Sequence, residues 1–271
     1  MSSVWRLLRT APKGGAWNMA VDEAVLEATE RGEARPTLRL YTWEPACLSL
    51  GRAQSVTDVD RERLEASGWE LVRRITGGRA ILHTDELTYS VSGPVDEPCL
   101  AGSVLESYNR LAVALQSAVQ SLGLPVQVQT DNVKNASGSN PVCFEVPSTY
   151  EITVGGRKLI GSAQARRKDG VLQHGSLPLN GDLGRICQVL VFPDEPAREI
   201  ARQRLLARAT TVAAALGRQL RWEEAAQAFV RAFETQLGIE FKQDELTEKE
   251  LSRAEELTRE KYANGAWTER V

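Results

Sequence analysis

The sequence lacks the features that mark several large classes of protein. Its 271 residues carry a formal net charge of −3, and the missing basic excess argues against a nucleic-acid-binding protein. No window approaches the roughly 18 apolar residues that a membrane-spanning helix needs. The N-terminal residues contain no apolar stretch of the kind found in signal peptides. We therefore expect a cytoplasmic protein that binds neither nucleic acid nor membrane.

Cysteine and histidine are scarce, and their spacing excludes the usual metal sites. The four cysteines, Cys47, Cys99, Cys143 and Cys187, form no C-x-x-C pair, and none lies at metal-ligand spacing from either of the two histidines. In a reducing cytosol they are expected to be free thiols, and a free cysteine is by default a small buried apolar residue. We expect no bound metal and no cofactor.

The pattern of apolar residues predicts an α+β protein with a mixed or antiparallel sheet. Residues 15–32 have helical spacing and end at a glycine. Strand-like segments occur in blocks around two glycine pairs, at 77–78 and 155–156. From about residue 196 the pattern is helical. A regular strand–helix alternation is missing, so a doubly wound parallel sheet is not expected.

The second glycine pair predicts a β-hairpin with one polar face. If residues 155 and 156 form the turn, Thr153 pairs with Lys158 and residue 151 pairs with residue 160. Alternation then places several polar residues together on that face, namely Glu151, Thr153, Lys158, Ser162 and Gln164. Periodicity alone favours a solvated sheet surface. The alternative is the wall of a polar cleft.

Cys143 lies between two prolines just before this hairpin and has a candidate activating group. A free thiol with a pKa of about 8.5 is only roughly 3% thiolate at pH 7. A nearby ammonium group lowers the pKa of a thiol, and Lys158 belongs to the same loop-and-hairpin unit. The two side chains can meet if the chain bends back near Pro141 and Pro147.

Two further groups of residues are weaker candidates for a site. The segment RRITGGRA (73–80) combines arginines, which bind carboxylate or phosphate, with glycines, which let a backbone approach a ligand closely. It does not have the spacing of a P-loop. His83 and His174 each lie in an apolar, strand-like stretch beside polar residues. Either residue is an interior histidine or a candidate base.

Several segments together resemble the lipoate–protein ligase and octanoyltransferase family. They are NMAVDEAVL (18–26), WEPACLSLGRAQ (43–54), VRRITGGRAILHTDELTYSV (72–91), GGRKLIGSAQARR (155–167) and LQHGSL (172–177). The resemblance covers most of the chain in the same order. It implies the biotin/lipoate protein ligase catalytic fold, a mixed β-sheet flanked by helices. We expect this acyltransferase domain over residues 1–240 and a C-terminal helical extension packed on it over residues 241–271.

Within the family, the segment around Cys143 resembles the cysteine-dependent, LipM-type octanoyltransferases. Ligases usually read R-R-x-x-G-G-G, whereas Arg79 stands at the third glycine here. In the LipM type, the cysteine before F-x-x-P-S-x-Y-E carries the acyl group as a thioester. The lysine of the G-x-K-x-x-G-S-A-Q motif lowers the pKa of that cysteine. The matching positions are Cys143 and Lys158, which the resemblance implies are catalytic.

The resemblance also implies the substrates and the acyl site. The donor would be octanoyl-acyl carrier protein, and the acceptor a lysine of a lipoyl domain, with the glycine cleavage H protein as the expected acceptor. The acyl tail would lie in an apolar tunnel near residues 74–83, and backbone N–H groups beside the glycines would stabilise the oxyanion. The expected acyl-binding residues are Arg74, Thr76, Gly77, Gly78, Arg79, His83, Gly161, Ser162 and His174.

Three other functions stay open from the sequence. An ATP-dependent lipoate–protein ligase would tolerate the loss of Cys143. An amidotransferase that moves octanoyl groups between lipoyl domains would also use a cysteine, expected in a different segment. A non-catalytic module that binds a carrier protein would show binding without turnover.

Overall fold

The computed structural model describes residues 3–129 and 151–271. The strands in these ranges are β1 (Ser3–Arg9), β2 (Thr37–Tyr41), β3 (Cys47–Leu50), β4 (Glu70–Arg73), β5 (Ile81–His83), β6 (Glu86–Pro94), β7 (Val126–Gln129), β8 (Glu151–Val154), β9 (Arg157–Arg166), β10 (Gly170–Pro178) and β11 (Ile239–Asp244). The α-helices are α1 (Gly15–Glu30), α2 (Arg61–Ala66), α3 (Val104–Ser121), α4 (Glu195–Arg208), α5 (Val212–Leu216), α6 (Trp222–Leu237), α7 (Glu248–Leu257) and α8 (Gly265–Thr268).

The strands form one large mixed sheet and one small sheet. The order in the large sheet is β11-β1-β2-β6-β10-β9-β8-β7. Strand β1 runs parallel to β11 and β2, and the other neighbouring pairs are antiparallel. In the small sheet, β3 lies between β4, to which it is parallel, and β5, to which it is antiparallel. This arrangement confirms the predicted α+β class with a mixed sheet flanked by helices.

The two faces of the large sheet are covered by different elements. One face, here called the core face, carries apolar residues such as Leu40 and Tyr89 and packs on α3 and α6. The other, here called the polar face, carries buried polar residues such as Arg39, Ser90 and His174 and packs on α1. Because side chains alternate along a strand, neighbouring residues serve opposite faces.

The C-terminal segment is held against α1 by charged side chains. Arg253 of α7 donates to Glu27 at 2.7 Å, and Lys261, in the π-helical turn after α7, donates to Glu23 at 2.6 Å. Strand β11 spans Ile239–Asp244, so it crosses the boundary expected at residue 240. The division into two domains stays a prediction. Within the described ranges, no helix is both long and apolar enough to cross a bilayer.

The predicted hairpin exists, and a β-bulge changes which face its side chains occupy. Gly155 and Gly156 have φ values of 56° and 73°, which glycine adopts without strain. Thr153 pairs with Lys158 as expected, but Ile152 then pairs with Ile160, so one extra residue is inserted in β9. The predicted pairing of residues 151 and 160 is therefore wrong by one position.

The bulge places Lys158 and Thr153 on the opposite face of the sheet from Ser162 and Gln164, with which they were grouped. Lys158 pairs with Thr153 and shares the polar face with Gly161, whereas Ser162 pairs opposite Gly175 on the core face. Thr153 is 1% exposed and Lys158 is 5% exposed. A solvated sheet surface is thus the wrong interpretation of these two residues, because both are buried.

Candidate active site

A cleft lies between the polar face of the large sheet, the first turns of α1 and the small sheet. Its empty volume, part of which is open to solvent, is about 370 Å³. Five of the expected acyl-binding residues line it, namely Arg74, His83, Gly161, Ser162 and His174. The Ser162 hydroxyl itself lies on the core face, 2.7 Å from the Tyr89 hydroxyl. The remaining lining residues are Met19, Tyr41, Trp43, Ile81, Thr88, Ala163, Gly175 and Ser176.

The other four expected residues form the loop that follows β4. The Arg74 guanidinium donates to the carbonyl oxygens of Gly77 and Arg79, both at 3.0 Å, and so holds the loop in a tight turn. A Cβ atom added at Gly51 would lie 1.9 Å from the Gly78 carbonyl oxygen, so the loop packs directly on the backbone after β3. The roles of these residues toward an acyl group stay predictions.

His83 lies in the middle of a hydrogen-bonded chain at the cleft. Its Nε2 atom is 2.7 Å from Ser49 Oγ, and its Nδ1 atom is 2.7 Å from Glu86 Oε1. Arg74 donates to Ser49 Oγ at 2.7 Å. The indole of Trp43 stacks on the imidazole with ring centroids 4.0 Å apart. The ring orientation is therefore fixed on both edges and on one face.

Glu86 is a buried carboxylate with several donors. Burial is the largest single influence and raises the pKa of its carboxyl. The interactions with His83, Ser176 and Thr88 lower that pKa, and together they outweigh the effect of burial. The net pKa lies below its ordinary value, so the group is ionised at neutral pH. The hydroxyl groups of Ser176 and Thr88 both donate to this carboxylate.

His174 occupies a second chain of the same kind. Its Nε2 atom is 2.7 Å from Thr76 Oγ1, and its Nδ1 atom is 3.1 Å from Asp22 Oδ2. Burial lowers the pKa of His174, and this outweighs the opposing effect of Asp22. The neutral ring therefore donates from Nδ1 to the carboxylate and accepts the Thr76 proton at Nε2.

Asp22 lies on α1, and four donors from the large sheet hold its carboxylate in place. Besides His174, it accepts from Arg39 at 2.7 Å, Ser90 at 2.8 Å and Tyr41 at 2.9 Å. Burial raises the pKa of this carboxyl most strongly, but the interactions with His174, Arg39 and Ser90 together bring the pKa below its ordinary value. Asp22 thus links α1, the sheet and the loop after β4.

The residues predicted to be catalytic are described only in part. Cys143 lies outside the described residues. Lys158 is buried near the start of β9, and its backbone carbonyl accepts from the Thr210 amide at 2.9 Å. The bulge described above places Lys158 on the polar face, the face on which the cleft lies.

The described cysteines fit a structural interpretation. Cys47, Cys99 and Cys187 are buried free thiols. Burial raises the pKa of Cys47 well above its ordinary value and raises the pKa of Cys99 to about 11. Such thiols are almost fully protonated at neutral pH and are poor nucleophiles.

Sequence reasoning missed Asp22, Ser49 and Glu86 as parts of the site. Asp22 carried a usable signal, because it follows directly on the apolar run Met19–Val21 of an amphipathic helix. Glu86 gave no such signal, since its contact with His83 depends on the tight connection between β5 and β6.

The comparisons with known proteins identify the family. Residues 15–234 match the lipoyl protein ligase A/B catalytic domain. "Octanoyltransferase LipM" of Exiguobacterium sibiricum is 40% identical over 97% of both chains, and that of Symbiobacterium thermophilum is 40% identical over the full length of both. The chain belongs to the LipM octanoyltransferase family. As a LipM-family member it is an acyltransferase, and the family resemblance predicted from the sequence motifs is confirmed.

A solved structure supports the fold of this LipM-family chain. The bipartite lipoate protein ligase of Thermoplasma acidophilum, described with its E2 lipoyl domain, superimposes with a TM-score of 0.82. It is 27% identical, and the match covers 99% of this chain and 96% of that one. The predicted ligase-type catalytic fold is therefore confirmed.

Proposed function

We propose a covalent route for the octanoyl transfer that this chain performs in lipoate biosynthesis. Octanoyl-acyl carrier protein is the donor, Cys143 carries the octanoyl group as a thioester, and a lysine amine of a lipoyl domain is the acceptor. Two octanoyltransferases that are about 40% identical to this chain over nearly its whole length support the overall reaction. The donor, the intermediate and the acceptor are the parts that require experiment.

The two chemical steps balance without ATP. In the first, the Cys143 thiolate attacks the carbonyl carbon of the donor thioester, a new C–S bond forms, and the carrier thiolate leaves and takes up a proton. In the second, the lysine amine attacks the acyl-enzyme, an amide bond forms, the amine loses a proton, and the Cys143 thiolate leaves. Exchange of thioester for thioester is nearly balanced, and the amide is more stable. The route is ping-pong covalent catalysis.

The position of Lys158 is the observation that carries this proposal. Lys158 is 5% exposed, which is unusual for a lysine. It shares the polar face with Gly161, which lines the cleft. Its ammonium group beside the Cys143 thiol would favour the thiolate and lower the pKa of that thiol.

The cleft is the proposed acyl site. Arg74, His83, Gly161, Ser162 and His174 contribute to its walls. The loop residues Thr76, Gly77, Gly78 and Arg79 are proposed to close over it. We assign backbone N–H groups beside the glycines to the oxyanion of the tetrahedral intermediates.

The acceptor and the location are finer parts of the proposal. The structural neighbour from Thermoplasma acidophilum is described with a lipoyl domain, which supports that class of acceptor. Within that class, the glycine cleavage H protein is the proposed partner. A cytoplasmic location belongs with the proposal, because a catalytic thiol stays reduced there.

Intact mass spectrometry tests the intermediate. The protein is incubated with octanoyl-acyl carrier protein without ATP, next to Cys143→Ser and, as a matched control, Cys99→Ala. We expect a hydroxylamine-sensitive octanoyl adduct on the wild type and on Cys99→Ala, and none that hydroxylamine removes on Cys143→Ser.

Other outcomes select another function. An adduct formed from an octanoylated lipoyl domain, but not from the carrier protein, would indicate an amidotransferase. Acylation that needs ATP and free lipoate and survives the loss of Cys143 would indicate a ligase. Carrier binding without any acylation would indicate a binding module.

A further inference from the structure

The floor of the cleft is one row of residues that crosses four strands of the large sheet. Gly161 of β9 pairs with Ser176 of β10, Ser176 pairs with Thr88 of β6, and Thr88 pairs with Tyr41 of β2. All four residues line the cleft. Their side chains grow from none to large in that order, so the floor rises from β9 toward β2.

The direction of this row matches the proposed position of the reactive end. Lys158 lies on β9 near Gly161, so the acyl carbonyl is expected above the low end of the floor. The acyl tail would then run across the strands toward Tyr41. Two inter-strand spacings of about 4.8 Å separate Gly161 from Thr88 and give a path of roughly 10 Å before the Tyr41 ring. A path of this length suits an extended octanoyl chain better than a dodecanoyl chain.

The polar atoms along this path already have protein partners. The hydroxyl groups of Ser176 and Thr88 donate to Glu86, and Trp43 Nε1 donates to Thr88 Oγ1 at 2.8 Å. Both ring nitrogens of His83 are likewise bonded. A polar group with a satisfied hydrogen bond loses little when an apolar chain covers it. The cleft can therefore accept an apolar tail although many of its residues are polar.

The far end of the path is closed by two fixed rings and one adaptable side chain. The Tyr41 hydroxyl donates to Asp22, and the Arg39 guanidinium lies 3.8 Å from the centre of the Tyr41 ring. Trp43 stacks on His83. Met19 of α1 lines the cleft and belongs to the same buried apolar cluster as Tyr41 and Trp43. It is 2% exposed, and its unbranched side chain adapts to its neighbours.

We infer that Met19, backed by Tyr41 and Trp43, limits the length of the acyl chain that the enzyme accepts. The inference rests on the proposed acyl site and adds the residues that set the length of acyl chain it accepts. The methyl end of an octanoyl group contacts Met19, and longer chains are rejected because Met19 occupies the space that they need. Met19 is thus a specificity-determining residue.

A competition experiment tests the inference. Equal amounts of octanoyl- and dodecanoyl-acyl carrier protein are mixed with the enzyme, and the acyl-enzyme is weighed intact. For Met19→Ala we expect the ratio of dodecanoyl to octanoyl adduct to rise at least about tenfold, because each methylene that fits or clashes in an apolar pocket changes selection by about tenfold or more. Val25→Ala, a buried change elsewhere on α1, should keep the wild-type ratio.

The possible outcomes separate this inference from the proposed function. An octanoyl adduct on the wild type with an unchanged ratio for Met19→Ala would overturn the inference alone. An equal change in Val25→Ala would also overturn it. A wild type that takes up no acyl group would overturn the proposed function and the inference with it. Met19→Val removes less volume and provides the same comparison with a smaller expected shift if Met19→Ala does not fold.

Discussion

Both faces of the large sheet are buried, but the core face carries apolar side chains and the polar face carries charged and polar ones. On the core face, apolar residues such as Leu115, Phe229 and Phe233 pack on the strands. On the polar face, Arg39 and Asp22 form an ion pair in which both side chains are 1% exposed. Apolar packing stabilises a fold directly, whereas a buried ion pair contributes little net stability. The polar face therefore reflects the needs of a site more than the needs of folding.

Of the substitutions considered, the loss of Asp22 should destabilise the protein most. Asp22→Ala leaves the Arg39 charge buried without its carboxylate and removes the partner of His174. We expect a loss of about 3–5 kcal/mol in the free energy of unfolding, measured by urea titration. Octanoyl transfer should also fall, because the support of Thr76 is removed. A stability change below about 1 kcal/mol would contradict a tightly coupled network.

A large-to-small change on the core face should affect stability and leave catalysis intact. Leu115→Ala removes a fully buried side chain of α3 and should cost about 2–5 kcal/mol in the free energy of unfolding. The kcat/KM of the molecules that remain folded should stay within about twofold of the wild type. A selective loss of kcat/KM at full folding would show that the core face also serves the site.

His174 should act by positioning the loop after β4. Both of its ring nitrogens are bonded to protein groups. His174→Gln should therefore cost about 1–3 kcal/mol, because Thr76 loses its partner or Asp22 loses one of its four donors. KM for the acyl donor should rise. The plot of kcat against pH should show the same ionisations as that of the wild type. Disappearance of one ionisation from that profile would instead identify His174 as a base.

The polar face should also make stability depend on pH in mild acid. The pKa of His174 is lower in the folded protein than its ordinary value of 6.5, so the unfolded chain binds the extra proton first. Stability from this residue is complete above about pH 6.5 and falls as the pH drops, by at most about 1.4 kcal/mol per pH unit.

The carboxylates act in the same direction at lower pH. Asp22 and Glu86 have pKa values below their ordinary 3.8 and 4.5, so their contribution is present above that range and is lost as the pH falls through it. Urea titrations at pH 7.5 and 5.5 isolate the histidine. The wild type should lose more stability than His174→Gln between these two values, and equal losses would contradict the assignment.

The sequence predicted the parts of the fold that depend on local patterns. The helix over 15–32, the turn at Gly155-Gly156 and the mixed sheet all follow from periodicity and turn chemistry. Strands β1 and β11 were not predicted. They pair with each other in parallel across most of the chain length. Four consecutive residues are buried in β1, and one residue is buried in the edge strand β11, so neither strand has a strong alternating pattern.

The candidate site was predictable in its residues more than in its geometry. The family motifs pointed to Arg74, His83 and His174, which do line one cleft. The β-bulge in β9 could not be read from alternation, because one inserted residue leaves the composition of a strand unchanged. It is this bulge that moves Lys158 onto the polar face. The pairing of Lys158 with Cys143 stays a prediction.

Transfer to the acceptor tests the central claim most directly. Enzyme is first loaded from octanoyl-acyl carrier protein, freed of the donor, and then mixed with an unmodified lipoyl domain without ATP. The proposed route predicts that the lipoyl domain gains one octanoyl group as the enzyme loses it, and that Cys143→Ser supports no transfer. A lipoyl domain that is acylated only after ATP and free acid are added would contradict the thioester route.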